Sequence, residues 1–393
     1  MLAKVRQPYS RQAGAGPASD YGVSPQPRFI LPGRDPALSQ YDFLLYDTFP
    51  RNEAAPLASP RVSEVGGLTL VQTDGEFYTD ANGLNFPAQT TPAWGDQFAV
   101  GDVVTRGVGK ACIFTVKPTA AGADKKFLIG FSPDATPGNP NEAGANYIEF
   151  MTTGYLRIWA GVDALAASDA YAADTTYYVA IVQRTTGAFY LIKGGAYTTW
   201  TLLAVDNAVN AANQYPCLSN YAHSGALKQI ADLDLGAYDS RFRGQNTFAT
   251  SVLTAPAAGA TATMLPDAVL EVTVGTAADT ALIRLRKQDA TNYMRVAWNA
   301  TGNLAFASVV NGTPSDLAFV AAGGVANGSR IVTVMDGAVY KIYVDNALKV
   351  TYTDPSNLFL TATGIEVNAV GAGGGISSLI AWPRNNISLP VGL

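Results

Sequence analysis

The chain has 393 residues, enough for two or three domains, and 48% apolar against 15% charged residues excludes wholesale disorder. A formal net charge of −5 speaks against a nucleic-acid binder of the usual basic kind. Gly (38), Pro (22) and Tyr (19) are plentiful, as short strands joined by tight turns require; no apolar run approaches the ~20 residues of a membrane span.

Residues 1–40 stand apart. Prolines at 8, 17, 25, 27, 32 and 36 bar a long helix, and Lys4, Arg6, Arg11, Arg28 and Arg34 face only Asp20 and Asp35. The opening MLAKVRQPYSRQAGAGPASD has no apolar h-region, so a Sec signal peptide is not expected. A segment of this kind becomes ordered when it lies along another surface. It is therefore expected to be an extended anchoring arm, held by a partner or a symmetric assembly. The alternative is an arm folded back on its own domains.

From residue 41 onward the pattern is period 2. Asp47-Thr-Phe49 opens a segment that continues through GLTLVQTDGEFYTDANGLNF (67–86), with two strands around Thr73–Gly75 and a turn at Asp80–Gly83. Strands follow at Cys112–Lys117, Lys126–Gly130, Asn146–Phe150, Tyr155–Trp159, Thr176–Arg184, Ala188–Lys193 and Ile230–Tyr238. The second half answers with Asp267–Val274, Ala281–Arg286, Asn292–Trp298, Asn303–Ser308, Arg330–Met335, Ala338–Val344, Ala347–Tyr352 and Ile376–Trp382. Asp336-Gly337 and Asp345-Asn346 mark hairpin turns.

The halves match. Asn146 and Asn292 are 146 residues apart, and so are Ile230 and Ile376, while the first half carries an extra Pro/Gly/Asn loop at 131–144. Ile148/Phe150 align with Met294/Val296, and Leu156/Ile158 with Leu304/Phe306. Such pairs would line equivalent inner faces, because strand side chains alternate. The fold expected is all-β: two tandem antiparallel β-sandwiches after the arm. The domains run 1–40, 41–245 and 246–393, the last a trimmed copy.

Several motifs carry a family resemblance. They are DTF (47–49), GLTLVQTDG (67–75), DATNY (289–293) with its partial counterpart AGANY (143–147), and VDNAL (344–348). Together they resemble the concanavalin-A-like, laminin-G-like jelly roll over nearly all of 41–385. That superfamily includes sugar-binding modules, glycoside hydrolases and appended domains of phage and cell-surface proteins, so the resemblance implies a fold and leaves function open.

Chemistry is sparse. The hydrolases of that fold use a Glu-x-Asp-x-x-Glu strand, and none of Glu53, Glu64, Glu76, Glu142, Glu149, Glu271 and Glu366 is followed two residues later by Asp. Glu149 and Glu271 read as outward-facing, solvated carboxylates. Asp232 and Asp234 share a strand face, either as a carboxylate pair or as a face turned to water. The lone His223 has no elbow motif beside it. Asp80–Asn85 and Asn139–Ala143 are oxygen-rich, as a calcium loop or a plain turn would be. Cys112 and Cys217 allow one bridge or two buried thiols. Tyr155, Arg157 and Trp159 alternate on one strand face and form the candidate glycan site, an aromatic surface with a donor beside it; otherwise they cover a second sheet face or a seam.

The expectation is a non-enzymatic structural component of a virion, of tailed-phage type. Residues 1–40 would bind other capsid or tail proteins, and the jelly rolls would project as a capsid decoration, head fibre or tail/collar protein. A homo-oligomer contacting host glycans is expected, with no cofactor, nucleic acid or membrane span. The alternatives are a carbohydrate-binding module protein and a glycoside hydrolase working through Asp232 and Asp234.

Overall fold

A computed structural model describes residues 42–49, 53–54, 60–64, 66, 68–74, 77–86, 94–100, 104–119, 125–135, 142–234, 260–263, 265–276, 280–370, 375–385, 387 and 389. The anchoring arm with Lys4, Arg6, Arg11, Arg28 and Arg34, the 245/246 boundary and the loop 139–141 lie outside the described residues. Among those described there are four antiparallel sheets and no helix, hence no helix long and apolar enough to cross a membrane.

The first unit pairs an eight-stranded with a nine-stranded sheet. The eight-stranded sheet runs Tyr197–Val205, Ala188–Gly194, Tyr177–Gln183, Lys110–Pro118, Gly225–Asp234, Gly83–Phe86, Tyr78–Asp80, with Asp42–Asp47 also on Gly225–Asp234. The nine-stranded sheet runs Asp163–Ala170, Tyr155–Ala160, Asn146–Met151, Lys126–Ser132, Asn213–Tyr221, Trp94–Val100, Thr69–Asp74, Arg61–Val62, with Val104–Thr105 also on Asn213–Tyr221.

The second unit pairs smaller sheets in a matching order. Ala347–Thr353, Val339–Val344, Arg330–Asp336, Ala268–Val274 and Ile376–Pro383 form five strands. Ala260–Thr263, Gly364–Val370, Thr280–Lys287, Tyr293–Trp298, Leu304–Val310 and Thr313–Val320 form six. Each hairpin of the second unit has its counterpart at the same place in the first.

Alternation supplies the cores. Ile148, Phe150, Leu156 and Ile158 enter one buried cluster, and Met294, Val296, Leu304 and Phe306 enter another. In the first, Phe127 stacks on Phe150 at 4.7 Å, and Phe86 tilts onto Phe127 at 4.9 Å. The turns hold the registers. Asp345 and Asn346 both take positive φ, 47° and 68°, between paired Val344 and Ala347, as a two-residue hairpin with type I′ geometry requires. Asp336 pairs with Val339, so the other loop is Gly337-Ala338, one residue later than the Asp-Gly reading placed it.

The five-stranded sheet is buried on both faces. Leu270 and Val272 point into its own core, whereas Val269, Val332, Val334 and Trp382 join the core of the first unit. Trp382 meets Phe189 edge-on at 5.4 Å, and the Arg184 guanidinium stands 5.1 Å from both rings.

Ion pairs flank this seam. Glu271 accepts from Arg330 at 2.9 Å and from Arg184 at 3.3 Å. Asp169 accepts from Arg384 at 2.8 Å and lies 3.4 Å from the Lys341 ammonium. Burial alone would raise the carboxyls of Asp169 and Glu271, but the paired cations overcome it and hold both below the ordinary carboxylate range. The backbone joins too: Leu202 N–H donates to the Arg384 carbonyl at 2.8 Å, and Trp200 bridges Ile387. Glu271 is thus a seam residue and not the solvated carboxylate expected, because the face it occupies is covered by the other unit.

Both cysteines are free thiols and buried. Cys112 shares the inward row of Ile181 and Tyr190, while Cys217 packs with Leu128 and Tyr147 on the outer side of the nine-stranded sheet.

Candidate functional site

The outward side of the nine-stranded sheet gathers side chains from five neighbouring strands. Glu149 lies opposite Arg157 on one side and Leu128 on the other, and Leu128 opposite Ser219. Tyr147 lies opposite Trp159 and Gly130; Lys126 lies opposite Met151 and Tyr221. Gly130 lets Tyr147 come close, since at its φ of 152° a Cβ would fall 2.0 Å from the Asn146 carbonyl oxygen.

Glu149 is the centre of the group. Its side chain is fully buried although it stands on an outward position. Oε2 accepts the Trp159 indole N–H at 2.8 Å. The Arg157 guanidinium lies 3.6 Å from Oε2, and the Lys126 ammonium 3.4 Å from Oε1. Neither cation closes a hydrogen bond to the carboxylate; Oε1 has none. The solvated carboxylate expected at this position is therefore corrected: a tryptophan and two long cationic side chains roof it over.

Aromatic rings surround the cations. Lys126 Nζ stands 5.6 Å from the Trp94 ring centre and 5.4 Å from that of Tyr221, and these rings tilt together at 5.1 Å. The Arg157 guanidinium is 5.9 Å from the Trp159 ring centre. Tyr155 is exposed at the end of its strand, and Trp159, Trp94 and Tyr221 are half-buried. Tyr155, Arg157 and Trp159 do share one face. What sequence reasoning missed is Glu149, Lys126, Trp94 and Tyr221; the hairpin register alone would have put Glu149 beside Arg157.

The other candidates have structural partners. Asp232 is fully buried and receives both ends of the Arg106 guanidinium, at 3.0 and 2.8 Å, with that cation 4.0 Å from the Phe131 ring centre. It shares an inward row with Ile181 and Cys112, so it neither faces water nor stands free for acid–base work. The Asp234 side chain lies outside the described residues. His223 is buried, with Nδ1 2.7 Å from the Ser224 carbonyl and Nε2 3.3 Å from the Tyr171 hydroxyl. Burial pushes its imidazole below the ordinary value. Asp80 accepts from the backbone and side chain of Asn82 at 2.6 and 3.3 Å, closing its own turn. Glu142 accepts from Tyr147 and Ser132 hydroxyls at 2.5 and 2.8 Å. Among the described residues no three His, Cys, Asp or Glu side chains gather as a metal site would require.

No protein-family model matches the sequence, and no curated protein matches it. Similar solved structures include sheep galectin-11 in complex with glycerol, at 8% identity and a TM-score of 0.26, over 31% of this chain and 95% of that one. The Ca2+-bound exoplasmic/lumenal domain of VIP36 is similar at 9% identity and a TM-score of 0.35, over 45% of this chain and 87% of that one. Domains LG4-5 of the mouse laminin alpha1 chain match at 11% identity and a TM-score of 0.25, over 85% of this chain and all (100%) of that one. The sheets and registers above, rather than these likenesses, define the chain as antiparallel β-sandwiches of jelly-roll type.

Proposed function

We propose that this chain is a non-catalytic adhesion protein that holds a saccharide on the outer face of its nine-stranded sheet. The observation that carries the reading is the grouping of Trp159, Arg157 and Lys126 around the buried Glu149. Sugar C–H faces pack on aromatic rings while hydroxyls take hydrogen bonds from fixed donors. Trp159 is fixed by its bond to Glu149, and the two cations stand beside it as donors. The test is titration of a glycan panel with the full chain and with Trp159→Ala. Binding that the substitution removes, in a variant that still folds by circular dichroism, is expected. Unchanged binding by Trp159→Ala would overturn the reading.

The setting we propose is a virus particle, with other virion proteins as partners and a homo-oligomer as the working form. Its support is the composition of residues 1–40: six prolines, and five basic residues against two aspartates. On this proposal the two units are diverged copies of one sandwich, one serving recognition and the other attachment. A chain lacking residues 1–40 should fold but fail to assemble onto particles; normal incorporation counts against the setting and leaves the glycan site untouched.

A further inference from the structure

Resting on the reading of this face as a saccharide site, we infer that the saccharide it takes is anionic, a carboxylated sugar chain. The first reason is charge. Lys126 and Arg157 share a single carboxylate, Glu149. The other described side chains of the patch, Leu128, Tyr147, Met151, Trp159, Ser219 and Tyr221, carry none. Among the described residues of the patch, one positive charge is therefore left without a carboxylate. Glu142 does not supply the balance: it lies by Ser132, at the opposite end of the strand from Lys126.

The second reason is the direction of the hydrogen-bonding groups. A site for neutral sugars offers acceptors as well as donors, because each hydroxyl can give and receive. Here the one acceptor carboxylate is buried, and its Oε2 is taken by the Trp159 N–H. The charged groups that reach solvent are donors, with the Arg157 and Lys126 side chains 29% and 27% exposed, and only tyrosine hydroxyls such as that of Tyr155 can both give and receive. Arg157 stands beyond hydrogen-bond distance of Glu149, so its planar fork is not spent there. It matches a carboxylate in two parallel bonds. Lys126, beside the rings of Trp94 and Tyr221, adds a point charge next to surfaces on which a sugar ring can lie. The ligand must bring the acceptors and the negative charge.

The test compares oligogalacturonate, alginate and hyaluronan fragments, each against its carboxyl-methyl ester, by isothermal titration with the full chain. The acidic form is expected to bind at least about tenfold more tightly than its ester, one charge-assisted contact being worth that much. The preference should shrink between 50 and 500 mM salt on the order expected for exposed charges. Arg157→Gln and Lys126→Gln should each remove the preference, and Arg157→Lys should keep part of it. Esters bound as tightly as acids, or a neutral glycan bound while no acidic fragment is, would overturn the inference and leave the saccharide reading standing. Binding of nothing, neutral or acidic, would end both. A preference that survives Trp159→Ala unchanged would mean attraction to charge without a sugar site, and would end both as well.

Discussion

The two units put different residues on the same lattice. On the outer side of the nine-stranded sheet, Glu149, Arg157 and Trp159 occupy the positions that Arg295, Ala307 and Val309 hold on the six-stranded sheet. Leu128 and Lys126 correspond to Arg284 and Leu282, by the registers of the neighbouring strands. In the second unit Arg295 pairs with exposed Asp316 at 3.6 Å, and Glu366 pairs with Arg284 at 2.6 Å and also with Lys287. Asp316 is exposed and Glu366 is buried under its two cations, with no half-buried tryptophan among them. The other sheet differs in the opposite sense, for the second unit buries Val269, Val332, Val334 and Trp382 against the first. Inward positions must be apolar, or paired as Asp232 is with Arg106, for either unit to fold. Outward positions are under no such demand, and there the units differ: one sheet shows a face of cations and aromatic rings, and the other covers an apolar face.

The largest effect should come from breaking the attachment. Trp382 is fully buried, and Trp382→Ala removes its contacts with Phe189 and the Arg184 guanidinium. A loss of about 3–5 kcal/mol is expected, with chemical denaturation separating into two transitions as the units uncouple. One cooperative transition at an unchanged midpoint would show that the seam is not what joins them.

Second in size is Glu149→Gln. It leaves Lys126 and Arg157 without their carboxylate and should cost about 1–3 kcal/mol, the scale for a buried hydrogen bond to a charged group. Asp316→Asn on the other unit removes an exposed carboxylate and should cost less, on the order of 1 kcal/mol at most. Denaturation midpoints of the two variants compare the faces directly, and equal losses would erase the distinction.

These carboxylates also show how far the residues could be read without coordinates. The alternation of Ile148/Phe150 and Met294/Val296 was legible because burial of one sheet face imposes period 2. The strand Asn213–Tyr221 was not, because Pro216 argues against a central strand. The structure accommodates it: one neighbour, Val104–Thr105, ends at Gln214, and the next, Trp94–Val100, begins at Cys217. The missing N–H of Pro216 falls in that gap. Glu149, Glu271 and Asp232 each look like a polar residue turned to water. For Glu271 and Asp232 the partners come from far along the chain, Arg330 and Arg106, which only the packing of strands brings near. Charge on a strand is ambiguous until the neighbouring strands are known.

Acid should separate the regions more gently. Burial holds the His223 imidazole in the first unit below its ordinary value, so the unfolded chain takes the proton first. Stability from this site is complete above the unfolded value of about 6.5 and falls as pH drops through that range toward the native value. The seam acids Asp169 and Glu271 are also held low, so they lose stability only below unfolded values of about 4. Asp47 and Asp206, raised by burial, run the other way and gain as pH falls. Denaturation midpoints at pH 7 and 5.5, in the chain and in His223→Gln, isolate the histidine. The decline between those pH values should shrink in the variant, while Asp169→Asn should leave it unaltered.

The smallest effect tests whether position or environment decides a residue's worth. Arg295 holds the lattice position of Glu149, yet it is 26% exposed and its partner Asp316 is 64% exposed. An ion pair in water gains little, because solvent screens the attraction and two long side chains lose freedom to make it. Arg295→Ala should therefore change stability by less than about 0.5 kcal/mol. It should leave saccharide binding untouched. A loss comparable to that of Glu149→Gln would mean that the two outer faces are equivalent in energy after all, and that the proposed division of labour between the units is not written in these side chains.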